Sequence, residues 1–363
     1  MTMPDADALV RPLPLGPLPE TPLVSVLVAN YNYAGYVAAA VESALAQTYR
    51  HLEVVVCDDG STDDSLAVLH ALAERDGRVR VVAQENGGQA SALNGAYAAA
   101  RGDILCVLDA DDVYEPEKVA ATVEGFRAHP EAGFLIHNVV VIDGEGRVRG
   151  RKQEHEAMPA GWLAPRVLAL GGPLTGLPPA SGLSLRRPVA AHLFPLDPAY
   201  RSLADGLVKA GAPVLTPVVA LPQVLARFRI HGANLTSAAS GSVAARRKVL
   251  GVIRRHHAYI RGLLAKHHGP EAAAQLRPVE FNPAYGVQLA QLALLEPAPQ
   301  SERRAAVDAL LSNPGAVHVR HRWFYRLAAS LPLPAGLVRL AFGDSPLKRA
   351  AQRLDQWARG VRS

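Results

Sequence analysis

The sequence predicts an α/β protein: a doubly wound, mostly parallel sheet with flanking helices, followed by a helical C-terminal region. Three observations carry this. Strand-like and helix-like segments alternate four times within about 105 residues, the pattern of parallel strands joined by crossover helices. The polar clusters NYNY, DDGSTD, ENGG and DADD each follow a strand segment, and open α/β sheets bind ligands at the carboxyl ends of their strands. From about residue 243 the pattern turns helical and basic.

The elements follow in order. Val24 to Ala29 (VSVLVA) is β-branched and apolar, a buried strand. After NYNYAG, residues 35–47 place Val37, Val41 and Leu45 on one helix face. HLEVVVC is the second strand. Ser61, Thr62 and Asp63 then supply helix-capping chemistry for LAVLHALAER. RVRVVA is the third strand and QASALNGAYAAA its helix; GDILCVLD is the fourth, and EPEKVAATVEGF a helix with Pro116 near its first turn. From 133 the pattern changes. GFLIHNVVVIDGEGRVRG reads as a hairpin with Asp143-Gly144 in the turn. GGPLTGLPPA is a loop, GLSLRR a strand, 202–210 a helix, and APVLTPVVALPQVLARFRIHG strands and turns.

The division expected is a flexible Pro-rich lead-in over 1–22, a domain over 23–240 with halves 23–128 and 129–240, and a basic helical region over 241–363. The lead-in lacks the basic start and unbroken apolar run of a signal peptide. No run reaches the roughly 18 to 20 apolar residues a bilayer span needs. Cys57 and Cys106 both sit in apolar runs, so buried reduced thiols and a cytoplasmic location are expected. Charge is uneven: residues 245–363 hold 19 Lys/Arg against 7 Asp/Glu, and residues 1–244 hold 19 against 26. The acidic part should want a cation and the basic tail an anionic surface. No nucleic-acid-binding signature accompanies the tail, so no nucleic-acid partner is expected.

The chemistry concentrates in ILCVLDADDVYEP. A strand that runs into Asp109, Asp111 and Asp112 needs something positive there. Hard divalent cations take oxygen ligands, and Mg²⁺ or Mn²⁺ binds through one or two carboxylates with phosphates and water. The competing reading is acidic capping of the next helix, a job that suits Asp112. Asp59 could accept a hydrogen bond from a base or ribose, against a helix-capping loop with surplus surface acids; Tyr31 could stack on a ring, although NYNY alone reads better as an ordinary polar loop; and Gly87-Gly88 let backbone N–H groups approach an anion. GxxxxGK[ST] and GxGxxG loops are absent after the first strand, which excludes P-loop and dinucleotide readings. His256/His257 and His267/His268 sit in a basic helix without neighbouring acids and read as a solvated face.

VSVLVANYNYAGYVAAAVESALAQTYRHLEVVVCDDGSTDDS, followed by NGGQASALNGAYAAARGDILCVLDADDVYEPEKV, resembles a family 2 glycosyltransferase with the GT-A fold. The similarity is close over 23–128 and looser to about 237; the tail lies outside it. It implies an inverting, hexosyltransferase-type transfer from a nucleotide-diphosphate sugar, assisted by Mn²⁺ or Mg²⁺, to a glycan or lipid-linked acceptor in polysaccharide or cell-envelope assembly. By resemblance, Ala29 and Tyr31 line the nucleoside pocket, Asp59 binds the base, and Gly88 belongs to the donor site. Asp109 contacts ribose or the metal's water shell, and Asp111 holds the metal against the diphosphate. RFRIHGANLT resembles the closing segment, whose His231 reaches the metal or diphosphate; as residues alone, His231-Gly232 also reads as a plain turn. RSLADGLVKAGA stands where the family carries Glu-Asp before a helix. Here Ala204 replaces the Glu, and Asp205 is the candidate general base, with helix capping as its alternative.

Ala204 keeps open a second reading: a catalytically silent nucleotide-sugar-binding or scaffold protein of a glycan-assembly complex. A third, a sugar-nucleotide pyrophosphorylase, would need a Gly-rich basic loop where NYNYAG stands. The bases and aromatics of 246–266 and of VRHRWFYRLAASLPLP suit either peripheral contact with an anionic membrane face or packing within a helical domain or homo-oligomer.

Overall fold

The computed structural model describes residues 9–149, 158–231, 242–296, 299–312, 325–326 and 329–330. The chain divides into two compact units, Met1–Ala164 with Gly176–His231, and Pro165–Thr175 with Gly232–Ser363.

The first unit is built on one eight-stranded sheet in the order β3-β2-β1-β4-β7-β6-β8-β5. β1 (Val24–Asn30), β2 (Leu52–Asp58), β3 (Val79–Ala83) and β4 (Ile104–Asp109) are mutually parallel. Helices α1 (Ala34–Leu45), α2 (Ser65–Arg75), α3 (Gln89–Ala99) and α4 (Lys118–Ala128) connect and follow them. β1, β2 and β4 are apolar over nearly their whole length because helices cover both faces of a parallel sheet. Val26, Val28, Val54, Val56, Cys106 and Leu108 meet Val37, Val41, Leu69, Val119 and Phe126 in one core. Both cysteines are buried and free.

The second half of the sheet is mixed. β6 (Phe134–Ile142) runs antiparallel to β7 (Leu183–Arg186), which runs antiparallel to β4. β8 (Val218–Arg229) is one strand where several were expected; it absorbs Pro222 through register shifts at His137, Asn138 and Val139. β5 (Val113–Tyr114) pairs with Ala226 and Arg227 of β8. The hairpin expected after 133 has its turn at Asp143, whose N–H donates to Arg147 O (2.9 Å); among the described residues the returning arm makes the bridge Ile142–Val148 and the bond from Arg149 N to Val141 O (2.8 Å). Between β7 and β8 lie α6 (Arg187–Leu193) and α7 (Asp205–Gly211).

The lead-in differs from the flexible segment expected over 1–22. Residues 9–22 are tied to the rest of the first unit: Leu13 N donates to Leu215 O (2.8 Å), Tyr49 Oη to Pro22 O (2.6 Å), and the Arg186 and Arg127 guanidinium groups to Gly16 O and Glu20 O. Their prolines cost little chain entropy to fix in an extended path. Residues 1–8 lie outside the described residues.

The second unit is helical: α5 (Ala164–Leu170, from Pro165 on), α8 (Val243–Ala274), α9 (Pro283–Leu295) and α10 (Gln300–Ser312). α8 is interrupted at Gly269 (φ +87°) before Pro270, which cannot donate to the turn behind it. Leu250, Ile253 and Tyr285 form a core where α8 meets α9. His256 and His257 are buried, not solvated as expected. His257 Nδ1 lies 3.0 Å from Gly171 O and Nε2 2.9 Å from Arg261, because the apolar stripe of α8 carries both rings inward. No described helix is long and apolar enough to cross a membrane. The Arg320–Phe324 stretch lies outside the described residues.

Candidate active site

The parallel register sets three strand ends level. Ala29 pairs with Cys57 on one side and with Asp109 on the other, and Asn30 with Asp58. Every loop that leaves these ends therefore opens onto the same edge. β4 delivers Asp109 there, and the tight turn closed by Asp112 N to Asp109 O (3.0 Å) delivers Asp111 and Asp112.

The three acids are not equivalent. Asp112 is fully buried and satisfied by protein: Oδ2 accepts from Ser181 Oγ (2.5 Å) and Oδ1 from Arg229 N (2.8 Å). It fastens the turn to the end of β8 and does not cap α4, whose N-cap position is Glu117. Asp111 is nearly buried, and its Oδ2 lies 3.0 Å from His231 Nε2. Asp109 stands at the strand end, its N–H bonded to Ser181 Oγ (3.1 Å). Strand alternation puts Arg227, Arg229 and His231 on one side of the extended chain as β8 leaves the sheet. Arg229 Nε donates to Asp111 O (2.6 Å) and Nη1 to Gly144 O (2.9 Å). His231 stacks on Tyr36 (4.9 Å between centroids) and meets Tyr33 edge-on (5.8 Å).

One negative field runs through the cluster. Burial, then Asp112, Asp111 and Asp205, hold the Asp109 carboxyl well above the usual carboxylate range, with Lys209 opposing. Burial and Asp111 push Asp112 up to about 8, against hydrogen bonds from Ser181 and Arg229. Burial, then Asp111, Asp109 and Asp112, raise Tyr33. Burial leads each of these shifts, and the neighbouring acids add to it.

Asp205 opens α7 and lies close enough to Asp109 for its charge to be felt there. It caps nothing: the N-cap position is the buried Ala204, with no side-chain capping bond. Its Oδ2 instead lies 2.6 Å from Lys209 Nζ, one turn along.

The ENGG loop differs from expectation. The anion its N–H groups approach is the protein's own Asp59. Gly87 N (2.9 Å) and Gln84 Nε2 (2.7 Å) donate to Asp59 Oδ1, and Gly88 N (2.7 Å) to Oδ2. The first amides of α3 are covered as well, Gln89 N by Arg201 O (3.1 Å) and Ala90 N by Tyr200 O (3.2 Å). Gly88 is required twice over, by its φ of +89° and by Arg201 Cα, which a Cβ would meet at 2.5 Å. Tyr31 stands 45% exposed beyond β1, available to stack.

Residues 25–189 match the model of the family described as glycosyl transferase family 2. An uncharacterized glycosyltransferase of Nostoc sp. is 37% identical over 246 residues, 67% of this chain and 76% of the relative. The chain is a family 2 glycosyltransferase. The Escherichia coli chondroitin synthase is 40% identical to this glycosyltransferase over 131 residues, 36% of its chain and 19% of the synthase. The Pasteurella multocida hyaluronan synthase is 44% identical over 107 residues, 30% and 11% of the two chains. The glycosyltransferase thus spans only a small part of each synthase. Staphylococcus aureus TarS (residues 1–349) shares its fold, with a TM-score of 0.52 at 15% identity over 85% and 87% of the two chains.

Sequence reasoning brought out Asp109, Asp111, Asp205 and His231, which converge in this glycosyltransferase, with Ala29 beside Asp109. It assigned Asp59 and Gly88 separately to the donor site without seeing that they bind one another. It missed Ser181, Arg229, Tyr33, Tyr36, Arg201 and Lys209. Arg229 had a signal, its place two residues before His231 on a strand; Ser181, in a Pro-rich loop, had none.

Proposed function

We propose that this glycosyltransferase moves a sugar from a nucleotide-diphosphate donor to a hydroxyl of a glycan or lipid-linked acceptor, by one metal-assisted displacement that inverts the anomeric carbon. The observation that carries this is the acid cluster at the end of β4. Burial first, and then mutual repulsion, holds the Asp109 and Asp112 carboxyls above their ordinary range, and carboxylate oxygens suit Mg²⁺ or Mn²⁺. Among the described residues no three His, Cys, Asp or Glu side chains form a group that could hold a metal ion. Asp111 and His231, 3.0 Å apart, would be its protein ligands, with donor phosphates and water completing the shell. A bound divalent ion would act as Lewis acid toward the departing diphosphate.

The remaining roles belong to side chains. Asp205 would take the proton of the attacking hydroxyl. Asp109 would meet ribose or the ion's water shell, while Ala29 and Tyr31 line the nucleoside. Asp59 has about four acceptor positions, three already used by Gln84, Gly87 and Gly88. The fourth, on Oδ2, is the one left for a base N–H, so base binding need not break the loop. The likeness to chondroitin and hyaluronan synthases supports a glycan acceptor.

The test is a donor screen. A bound donor at 100 times its Kd adds about 2.7 kcal/mol, a melting shift of roughly 5 to 10 °C for a unit of this size. One nucleotide-sugar should give that shift only with Mn²⁺ or Mg²⁺ present, and Asp111→Asn should abolish it. No metal-dependent shift with any donor would sink the proposal. Release of free nucleoside diphosphate in the same samples separates an enzyme from a silent binder.

We also propose peripheral contact with an anionic membrane face on the cytoplasmic side. Arg247, Lys248, Arg254, Arg255, Arg261 and Lys266 are exposed on α8, and no acid occurs in it before Glu271. Its apolar stripe packs inside the second unit, so the contact is electrostatic, at most about 1 kcal/mol per base. The protein should sediment with anionic but not neutral vesicles at low salt, and lose them near 1 M, where the Debye length is about 3 Å. Equal binding to both vesicle types would overturn this.

A further inference from the structure

We propose that Gln89 is the residue that positions Asp205: by bonding on both sides of the strained Leu203, it fixes the general base against the helix that starts in the nucleobase loop. The proposal rests on the assignment of Asp205 as that general base.

Gln89 is the first residue of α3 and directly follows Gly88. Gly87 N and Gly88 N hold Asp59, the residue proposed for the nucleobase, at 2.9 and 2.7 Å. Gln89 bonds to a different segment. Its N–H donates to Arg201 O (3.1 Å), and its Oε1 accepts from Ala204 N (3.0 Å). These two bonds bracket Leu203, whose φ of +61° lies in the left-handed region. A bulky side chain is strained there and persists only where its surroundings hold it, a state that tends to mark functional sites. Ala204 is fully buried and Asp205 follows at once, so whatever fixes Leu203 and Ala204 also fixes the direction in which Asp205 leaves the backbone.

The rest of the segment stands on the same helix. Ala90 N donates to Tyr200 O (3.2 Å). Asn94 exchanges two bonds with Leu196, from Nδ2 to O (2.8 Å) and from N to Oδ1 (2.7 Å). Tyr97 stacks on Phe194 at 4.4 Å between centroids. The two backbones are close, since a Cβ on Gly88 would meet Arg201 Cα at 2.5 Å. α3 thus carries the nucleobase loop at its start and the approach to Asp205 along its flank. Of these ties, the one from Gln89 to Ala204 is next to Asp205.

A base contributes fully only when its oxygen meets the acceptor hydroxyl within a narrow range of distance and angle, and a displacement of roughly 1 Å costs about 10²-fold. Removing the Gln89 oxygen leaves the buried Ala204 N–H without that bond and lets Leu203 relax toward an ordinary φ. Either change redirects Asp205. The glycine bonds to Asp59 are untouched, so donor binding is spared. Gln89 is a positioning residue that acts through Asp205.

The experiment uses the full chain and reads release of nucleoside diphosphate from the donor found in the screen, with water as acceptor. Gln89→Met has similar length but no acceptor oxygen. It should lower kcat about 10²-fold, with donor KM and the metal-dependent melting shift unchanged. Gln89→Glu keeps an oxygen at that reach and should restore most of the loss. In an Asp205→Asn background, Gln89→Met should cost nothing further, because two residues that act as one unit are not additive. Asn94→Ala cuts two bonds at the other end of the same segment; it should lower the melting temperature and leave kcat near that of the natural protein. Full kcat in a folded Gln89→Met protein would overturn the proposal. So would an equal loss in Asn94→Ala, or a further loss in the Asp205→Asn background, since general loosening would then account for the effect. Should Gln89→Met not fold, Gln89→Ser, which admits water to the Ala204 N–H, carries the same comparison. If the natural protein releases no nucleoside diphosphate, or Asp205→Asn matches it, the general-base assignment falls and this inference with it. If Asp205→Asn is slow and Gln89→Met is not, only this inference falls.

Discussion

Asp205→Asn should lower kcat by about 10²- to 10⁴-fold while leaving donor binding intact, because a positioned base contributes about that much to a proton transfer. The substitution keeps size and shape and removes the negative charge, and the basicity with it. Asp205 does not cap α7, so no capping bond is lost, and Lys209 is exposed enough to find water when its partner becomes neutral. Melting temperature should change little, and the metal-dependent donor shift should persist. That combination separates Asp205 from Asp111, whose loss should remove donor binding itself. A variant with unaltered turnover would make Asp205 a structural partner of Lys209 and leave the acceptor's proton to another group. Loss of folding in both Asp205→Asn and the shorter Asp205→Ser would point the same way.

How much of this was legible before the structure depends on where each signal lives. The strands β1, β2 and β4 were readable because a sheet covered on both faces demands unbroken apolar runs, and those runs end in polar residues where the helices stop covering them. Asp109 and Asp111 were readable for the same reason, since charge at the end of such a run needs an explanation. The mixed half was harder. β8 carries Pro222 and changes register beside Asn138, so its local pattern breaks although the strand continues. The partners of the acids came from far along the chain: Ser181 and Arg229 meet Asp112 across 69 and 117 residues of sequence. Asp59 shows the limit of residue type as evidence. An aspartate after a strand is equally suited to a ligand and to a glycine-rich loop, and the contacts with Gly87 N (2.9 Å) and Gly88 N (2.7 Å) show the second use. Likewise the buried pair His256 and His257 could not be told from a solvated face, since a basic helix shows its inner stripe only when something packs on it.

The largest effect expected on stability comes from His137, which no sequence motif marks. It lies on β6, fully buried, with Nδ1 2.9 Å from Asn138 O. Burial, and next the Lys118 ammonium, depress its pKa from the ordinary 6.5 to about 3, against hydrogen bonds with the Asn138 and Ser181 backbone. Lys118 is itself fully buried, bonded to Ser184 Oγ (3.0 Å) and lying over the Tyr114 ring (4.5 Å), so a second positive charge on His137 would meet like charge in a buried site. The folded pKa thus lies below the unfolded one. Between pH 6.5 and about 3 the unfolded chain binds a proton that the native protein refuses, and native stability must fall as pH falls through that window. Each unit of pH costs about 1.4 kcal/mol, so at pH 4.5 the loss from this one ring is about 3 kcal/mol relative to pH 7. Urea unfolding of the natural protein and of His137→Asn at both pH values isolates the ring, because the titration of surface carboxylates is common to the two. The natural protein should lose about 3 kcal/mol more than the variant on acidification. Parallel losses would mean that the ring can be protonated in place, through movement of Lys118 or entry of water between β6 and β7. The same linkage would then be absent from the strands that hold Ser181 against Asp112, and mild acid would leave the acid cluster's scaffold untouched.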